Sequence, residues 1–273
     1  MSTFLADPSS ALNAYEALAS HYDLFTTGYE HDRWCERLLG LARTHGLEGL
    51  RHLDVACGTG KSFEPFLTRG FQTTACDLSP SMVQIARTRA GGRARVLVAD
   101  MRALPAMGPF DLVTCLDDAL NYLLDDAELI AALTGMGRCL APAGLLVFDV
   151  NTLLTYREVY AGQFERRLDR TSFRWRGEPG TAEAPGGLFA ATLEVAGESA
   201  PGGSNSRHVQ RHHPPAAVLG ACAAAGLRPL GVWGQHPGAR LEQPADELRH
   251  AKSVWLVARA PAVPAPPSEG RQT

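Results

Sequence analysis

Between residues 51 and 150, short apolar segments alternate with segments of helical length, and this alternation most constrains the fold. The apolar segments predict strands at residues 51–56, 71–76, 95–98, 110–116 and 145–150. Short apolar strands separated by helices favour right-handed β-α-β units, because a parallel sheet needs crossovers that cover both of its faces. We therefore predict an α/β fold with a doubly wound, Rossmann-like sheet.

The same pattern returns near the end of the chain and enlarges the predicted sheet. Residues 214–225 predict a helix, and residues 229–235 and 253–259 predict two further strands. The sheet then has seven strands, and we predict that it is mostly parallel with an antiparallel last strand.

An insertion interrupts the α/β pattern at residues 152–213. Its apolar and polar residues alternate and no helix separates its strands, which is typical of antiparallel pairing. The three predicted strands are residues 171–176, 188–195 and 207–213. We predict a small antiparallel β insertion that acts as a lid over the substrate pocket.

Two further segments complete the predicted organisation. Apolar periodicity at about 11–20 and 30–45 predicts an N-terminal helical cap, and the Pro-rich polar end of the chain predicts disorder. The predicted units are the cap at 1–46, the cofactor-binding α/β core at 47–151, the insertion at 152–213, the return to the core sheet at 214–260 and the tail at 261–273.

Composition argues against several classes of function. The formal net charge is −3, which gives no general attraction to nucleic acid or to an anionic membrane. The six cysteines are scattered, so we expect reduced thiols and no metal site. No secretory signal and no apolar run of about 18 residues is present. We expect a cytoplasmic protein that binds neither nucleic acid nor membrane, and a homodimer stays possible.

A glycine-rich turn follows the first predicted strand, with the sequence Asp54-Val55-Ala56-Cys57-Gly58-Thr59-Gly60. Doubly wound sheets bind ligands at the carboxyl ends of strands, so this turn marks a candidate cofactor site. A dinucleotide fingerprint that starts at Gly58 would need glycine at position 63, where Phe63 stands. A P-loop would need glycine at position 55, where Val55 stands. The spacing therefore disfavours both phosphate-binding motifs.

The turn resembles motif I of class I S-adenosylmethionine (SAM)-dependent methyltransferases, an acidic-x-G-x-G-x-G turn in which Ala56 replaces the first glycine. The resemblance extends over residues 51–150 and implies SAM as cofactor and S-adenosylhomocysteine (SAH) as product. It implies that Asp77 accepts from the ribose hydroxyls and Asp100 from the adenine amino group. The implied cofactor residues are Tyr22 and Trp34 in a lid, Asp54, Ala56, Gly58, Gly60, Asp77, Leu78, Asp100, Met101 and Leu116.

Two polar segments offer residues for the methyl acceptor. The first follows the fourth strand, where the family has its reaction centre, and offers Asp118 as a base. The second ends the insertion and offers His213, because a histidine with an ordinary pKa titrates near neutrality. The predicted substrate-binding residues are Asn121, Tyr122, Asn151, Trp175 and His212.

The leading interpretation is an enzyme that transfers a methyl group from SAM to a nitrogen or oxygen atom of a small molecule. The layout, with an inserted sheet that carries Phe173, Trp175 and Phe189, resembles the methyltransferases of bacterial secondary metabolism, such as the sugar N,N-dimethyltransferases. An NAD-dependent oxidoreductase and a non-catalytic SAM-binding protein are the alternatives.

Overall fold

All seven strands predicted for the main sheet form in the computed structural model, which describes residues 10–178, 185–197 and 200–261. A second sheet follows in the insertion. In chain order the strands are β1 Arg51–Val55, β2 Gln72–Asp77, β3 Arg95–Val98, β4 Phe110–Cys115, β5 Leu140–Asn151, β6 Gln163–Leu168, β7 Thr171–Gly177, β8 Leu188–Gly197, β9 Ala200–Arg211, β10 Leu227–His236, β11 Arg240–Glu242 and β12 Lys252–Arg259.

The main sheet has the strand order β11-β10-β12-β5-β4-β1-β2-β3. Strands β1 to β5 are parallel, as predicted. Strand β12 is antiparallel to both of its neighbours, β5 and β10, so the predicted antiparallel last strand is confirmed. The short strand β11 pairs with the end of β10 and makes eight strands in place of the predicted seven. Three residues are too few to give a readable alternation.

The insertion forms an antiparallel sheet of four strands, in the order β6-β7-β8-β9, and not of the three predicted. The strand that the sequence analysis missed is β6, whose sequence QFERRL is mostly polar and largely exposed. It lies at the edge of the sheet, where no neighbouring layer selects an apolar face. Strand β9 ends at Arg211, so His212 and His213 lie just beyond it.

The helices cover both faces of the main sheet. In chain order they are α1 Ser10–Leu18, α2 Tyr22–Phe25, α3 His31–Thr44, α4 Glu64–Thr68, α5 Pro80–Ala90, α6 Asp126–Cys139, α7 Leu153–Thr155 and α8 Pro215–Ala224. Helix α5 begins directly after its N-cap Ser79, whose hydroxyl accepts the N–H of Met82 at 3.1 Å. Among the described residues, no helix combines the length and the apolar character that a bilayer crossing requires.

Four clusters of buried apolar side chains hold these layers together, and one of them packs α5 against β2 and β3. Helices α6 and α8 pack on one face of the main sheet, and α3 packs on the other. Another cluster joins the insertion to the cap, where Leu18 of α1 meets Tyr156, Phe173 and Phe189. The predicted tail at 261–273 lies outside the described residues except for position 261.

His52 is fully buried in the main sheet, where its ring nitrogens meet the hydroxyl groups of Thr73 at 3.2 Å and Thr114 at 2.8 Å. Burial lowers the pKa of His52 to about 3, so the folded chain keeps this ring neutral. The unfolded chain binds the proton below about pH 6.5. The unfolded state therefore binds more protons between these values, and stability is lost as the pH falls from about 6.5 towards 3.

When the pH is lowered from 7.5 to 5, we expect the free energy of unfolding to fall by about 2 kcal/mol more in the unmodified chain than in the variant His52→Asn. Urea unfolding at both pH values, followed by circular dichroism, measures the difference. The control for the loss of a histidine is His45→Asn, at an exposed position at the end of α3. Equal losses in His52→Asn and the unmodified chain would contradict this assignment.

Candidate active site

A cavity of about 420 Å³ opens at the carboxyl ends of β1, β2, β3 and β4, and α1 lines its other side. This is the edge at which doubly wound sheets bind ligands, and the volume suits a small molecule. Of the residues that the sequence analysis assigned to cofactor or substrate, those on the cavity wall are Tyr22, Ala56, Gly58, Asp77, Leu78, Asp100, Met101, Leu116 and Tyr122.

The glycine turn forms one end of the cavity. Ala56, Gly58 and Gly60 all have left-handed backbone conformations, with φ of 58°, 52° and 89°. Ala56 therefore adopts a conformation that is more usual for glycine, and its small side chain keeps the turn open to a ligand. Gly60 is not on the wall; a Cβ there would lie 2.6 Å from the Phe63 ring, so its role is close packing beneath the turn.

Asp54 supports the turn from below and does not reach the cavity wall. Its buried carboxylate accepts hydrogen bonds from the Ser62 and Thr114 hydroxyls, each at 2.6 Å. Burial raises the pKa of Asp54 to about 7, against the effect of these two hydrogen bonds. Asp54, the acidic residue of the motif, thus links β1 to β4 and to the glycine turn through hydrogen bonds.

Asp77 connects the glycine turn to the start of α5. One carboxylate oxygen accepts the N–H of Gly58 at 2.8 Å, and the other accepts the N–H of Ser79 at 2.9 Å. Burial raises the pKa of Asp77, and the backbone hydrogen bonds oppose this effect. A carboxylate held in this way lies on the wall with its orientation fixed, and each oxygen has a further lone pair for a ligand.

Asp100 lies further along the wall, in an ion pair with Arg102 whose closest atoms are 2.7 Å apart. Burial opposes ionisation, but the hydrogen bonds from Arg102 lower the pKa of Asp100. Arg102 also reaches Glu128 of α6 at 2.6 Å, and all three side chains line the cavity. The sequence analysis did not identify Arg102, which pairs with Asp100, or Glu128, which holds Arg102 from α6.

Helix α1 closes the cavity and is fixed to α5 through Glu16. The Glu16 carboxylate accepts hydrogen bonds from the hydroxyl groups of Ser79 and Ser81. These hydrogen bonds lower the pKa of Glu16. Tyr15 of the same helix lies on the wall, and neither residue was predicted from the sequence.

The glycine turn also holds the second part of the cap. The Thr59 hydroxyl donates to Asp23 at 2.6 Å, and the Lys61 ammonium donates to the hydroxyl and carbonyl oxygens of Thr26 at 2.9 and 3.1 Å. Lys61, which the sequence places where a P-loop would have its lysine, therefore fixes the cap segment that carries Tyr22 to the turn.

The turn after β4 has an unusual backbone. Asp117 and Asp118 are consecutive left-handed residues, with φ of 59° and 55°. Their N–H groups donate to the two oxygens of the buried Asp149 carboxylate, at 2.8 and 2.7 Å. Lys252 lies 3.1 Å from Asp149 and 3.0 Å from Asp118. A carboxylate at the end of β5 and a lysine at the start of β12 therefore hold this strained turn in place.

Asp117 and Asp118 differ in what they face. Asp117 is on the wall and lies 2.9 Å from Nε2 of His31, whereas Asp118 accepts a hydrogen bond from Gln210 and pairs with Lys252. Burial would raise the pKa of Asp117, but the hydrogen bond from His31 and the charge of Lys252 hold it at about 2. The sequence analysis favoured Asp118 as the residue facing the substrate; the structure brings Asp117 to the cavity instead.

The remaining predicted residues lie behind the wall, because they join the insertion to the core. The Asn121 side chain bonds with Asn151 N–H and the Arg211 carbonyl, and the Asn151 amide donates to Gln210. His212 pairs with Glu247 at 2.7 Å.

His213 is also buried behind the wall, and its Nε2 meets the Leu120 carbonyl at 3.1 Å. Burial lowers the pKa of His213 to about 4, which makes it a weak base. Trp34 packs between α3 and the main sheet, and Trp175 donates to the Val159 carbonyl within the insertion cluster. The structure therefore does not bring His213, Trp34 or Trp175 to the cavity.

One cluster of metal-ligand type lies elsewhere, at the β10–β11 edge. Single atoms of His236, Glu242 and His250 lie within 4.8 Å of one another. However, Nδ1 of His250 accepts the N–H of Asp246 at 2.9 Å, so the neutral ring carries its proton on Nε2, the atom that would face the metal. We assign no metal ion to this cluster.

Comparison with known proteins identifies the family. The model of a methyltransferase domain matches residues 53–144. The protein YqeM of Bacillus subtilis (strain 168), whose name describes it as a methyltransferase, is 31% identical over 173 residues, which cover 62% of this chain and 68% of YqeM. A dTDP-3-amino-3,4,6-trideoxy-alpha-D-glucopyranose N,N-dimethyltransferase of Streptomyces venezuelae is 33% identical over 133 residues, which cover 48% of this chain and 56% of that enzyme.

A solved SAM-dependent methyltransferase from Clostridium acetobutylicum ATCC 824 has the same fold, with a TM-score of 0.75 at 21% identity over 91% of this chain and 100% of that chain. The chain belongs to the SAM-dependent methyltransferase family. It is an enzyme, and SAM is its cofactor. The predicted fold, cofactor and reaction type are confirmed, and the oxidoreductase alternative is set aside.

Proposed function

We propose that this methyltransferase transfers the methyl group of SAM to the nitrogen atom of a small-molecule amine in bacterial secondary metabolism. The observation that carries the proposal is the position of Asp117. Its ionised carboxylate lies on the wall, one residue after Leu116 beyond the end of β4, and it shares the cavity with the rings of Tyr22 and Tyr122. Negative charge and aromatic faces together attract a cationic or N–H-rich group.

The wall residues also suit SAM along the strand ends. Asp77 offers oriented carboxylate oxygens for the ribose hydroxyls, and Asp100 and Met101 offer a polar edge and an apolar cover for the adenine. The opposite end, near Leu116 and Asp117, is left for the methionine part and the acceptor. SAM supplies an electrophilic methyl group on a positively charged sulfur, and the chain has to align the acceptor with it and exclude water.

The acid–base properties of the wall favour nitrogen over oxygen. A carboxylate with a pKa near 2, such as Asp117, is too weak a base to activate a hydroxyl group. Both ring nitrogens of His31 already face oxygen atoms of the protein, of the Asp117 carboxylate at 2.9 Å and of the Tyr29 carbonyl at 3.2 Å. Desolvation by burial raises the pKa of Tyr22 and Tyr122, so both phenols stay protonated. A neutral amine already carries a nucleophilic lone pair and needs no such base.

The relatives support the same substrate class. The Streptomyces venezuelae relative is named for N,N-dimethylation of an amino sugar, and it shares 33% identity with this chain over 133 residues. The aromatic insertion, which reaches the cavity wall through the contact of His208 with Tyr122, resembles the layout of such enzymes, and this supports a role in secondary metabolism.

The test is a panel of paired acceptors, each an amine and its hydroxyl counterpart, including amino sugar nucleotides, with product mass as the readout. We expect mass increases of one or two methyl groups on the amines. The variant Asp117→Asn should lower turnover about 100-fold, because the charged hydrogen-bond acceptor for the substrate is lost. SAH affinity should stay within about 3-fold of the unmodified value, since the contacts that we expect for the ribose and the adenine are made by Asp77, Asp100 and Met101.

The matched variant is Asp118→Asn, in the adjacent residue of the same turn. Its side chain faces Lys252 and Gln210, so its effect on turnover should be at least about 10-fold smaller. A larger effect at Asp118 than at Asp117 would reverse the assignment. Methylation of the hydroxyl member of each pair, with the amines unreacted, would overturn the proposal.

A further inference from the structure

The side chain of Tyr122 contacts a buried polar pair in the second sheet, His208 and Ser206, to which the proposed methyl transfer gives no role so far. Its hydroxyl lies 2.9 Å from Nδ1 of His208, and Nε2 of His208 lies 3.0 Å from the Ser206 hydroxyl. Both residues of β9 are buried, with 3% and 5% of their surface exposed. Tyr122 is on the cavity wall, 86 residues from His208 along the chain.

We propose that His208 is a positioning residue that takes the phenolic hydrogen bond of Tyr122, so that the Tyr122 oxygen faces the acceptor amine as a hydrogen-bond acceptor. The inference rests on the proposed N-methylation and names the residue that orients its substrate. Ser206 completes the arrangement by accepting the N–H on the far side of the ring.

The buried ring can make only one of two hydrogen-bond patterns. A neutral imidazole has one donor and one acceptor nitrogen. In the first pattern Tyr122 donates to Nδ1 and Nε2–H donates to Ser206. In the second, Ser206 donates to Nε2 and Nδ1–H donates to Tyr122, which frees the phenolic proton for the cavity. Burial lowers the pKa of His208 to about 4, so the ring is neutral in both patterns at neutral pH.

The chemistry of the acceptor selects the first pattern. An amine that attacks the methyl group must direct its lone pair at that carbon and its N–H groups elsewhere. A phenolic proton aimed into the cavity would bind the lone pair and block attack, whereas a phenolic oxygen accepts an N–H and turns the lone pair towards SAM. Tyr15, Tyr160 and Gln210 also approach the Tyr122 oxygen, and each can donate to it, so Nδ1 of His208 is left as the acceptor for the phenolic hydrogen.

A double-mutant cycle on the full-length enzyme tests the connection, with kcat, KM for the amine and SAH affinity as readouts. His208→Phe retains a ring beside Tyr15 and Trp175, whose centroids lie 5.8 and 5.6 Å away, but removes both hydrogen bonds. We expect it to lower kcat about 10- to 100-fold, with SAH affinity unchanged within about 3-fold. His208→Gln can still accept the phenolic proton and should keep kcat within about 3-fold.

The decisive comparison is made in a Tyr122→Phe background. If His208 acts through Tyr122, His208→Phe should lower kcat there by less than about 2-fold, because the connection is already broken. Ser206→Ala leaves the ring in place and should lower kcat about 3-fold or more in the unmodified background only.

The inference would be overturned if His208→Phe lowered kcat equally with and without the Tyr122 hydroxyl. It would also be overturned if the two single variants, Ser206→Ala and His208→Phe, both kept full activity. Those results leave amine methylation intact. Absence of methyl transfer to every amine in the unmodified enzyme would instead contradict the proposed function, so the two failures are distinguishable.

Discussion

Replacing Asp149 with alanine is expected to lower the free energy of unfolding by about 3–5 kcal/mol, the largest effect on stability that we expect of a single polar side chain in this enzyme. The carboxylate is fully buried and accepts the N–H groups of Asp117 and Asp118, both in left-handed conformations. Without it, two buried donors lose their partner and Lys252 loses one of its three carboxylates. The turn should relax, and turnover should fall with stability.

Urea unfolding of Asp149→Ala and Asp149→Asn measures the effect. The asparagine oxygen can still accept from one amide, so its loss should be about half as large. The control is Asp32→Asn, which removes an exposed ion pair with Arg69 and should cost less than about 1 kcal/mol. If Asp149→Ala were as stable as Asp32→Asn, the turn would not depend on this carboxylate.

Replacing Asp77 with alanine should weaken SAH binding about 100-fold or more. We expect Asp77 to accept hydrogen bonds from the ribose, and hydrogen bonds to a charged acceptor contribute about 1.5–3 kcal/mol each, while 1.4 kcal/mol is a factor of ten in affinity. The same side chain holds the N–H groups of Gly58 and Ser79, so the glycine turn should also lose its fixed orientation.

Calorimetric titration with SAH measures this loss, and the control is Asp111→Asn. Asp111 lies on the same sheet but at the opposite end of β4, where it pairs with Arg51 at 2.6 Å. Its replacement should leave the SAH affinity within about 3-fold of the unmodified value, even if stability falls. Unchanged binding by Asp77→Ala would remove Asp77 from the cofactor site.

Much of the cofactor side of this cavity could be read from the sequence, for a simple geometric reason. Parallel strands end at the same edge of a sheet, so Gly58, Asp77 and Asp100, each just after a strand, had to lie near one another. The same argument found the segment at residue 117. It could not separate Asp117 from Asp118, because their orientation depends on two consecutive left-handed residues that Asp149 stabilises.

Several of the residues that sequence reasoning missed are brought in by distant segments. Lys252 reaches Asp118 from 134 positions away, because the antiparallel β12 begins at the edge where β5 ends. One signal was present: Lys252 is one of two lysines in a chain whose cations are otherwise arginine, and it opens an apolar strand. No comparable signal marked Tyr15 or His31, since their roles depend on how the cap packs against the sheet.

The attachment of α1 has a consequence for the order of events during turnover. The helix lines the cofactor cavity, is bonded to α5 through Glu16, and receives a hydrogen bond from Ser204 of β9 at its other side, at 2.7 Å to the Ala17 carbonyl. A helix that is hydrogen-bonded both to α5 and to β9 cannot move away from the cofactor side alone. If α1 moves when SAH departs, the acceptor side should loosen as well, and under the proposed function a partly methylated amine would be released whenever the spent cofactor is exchanged. Successive methylations should then be distributive, with the intermediate released into solution between rounds.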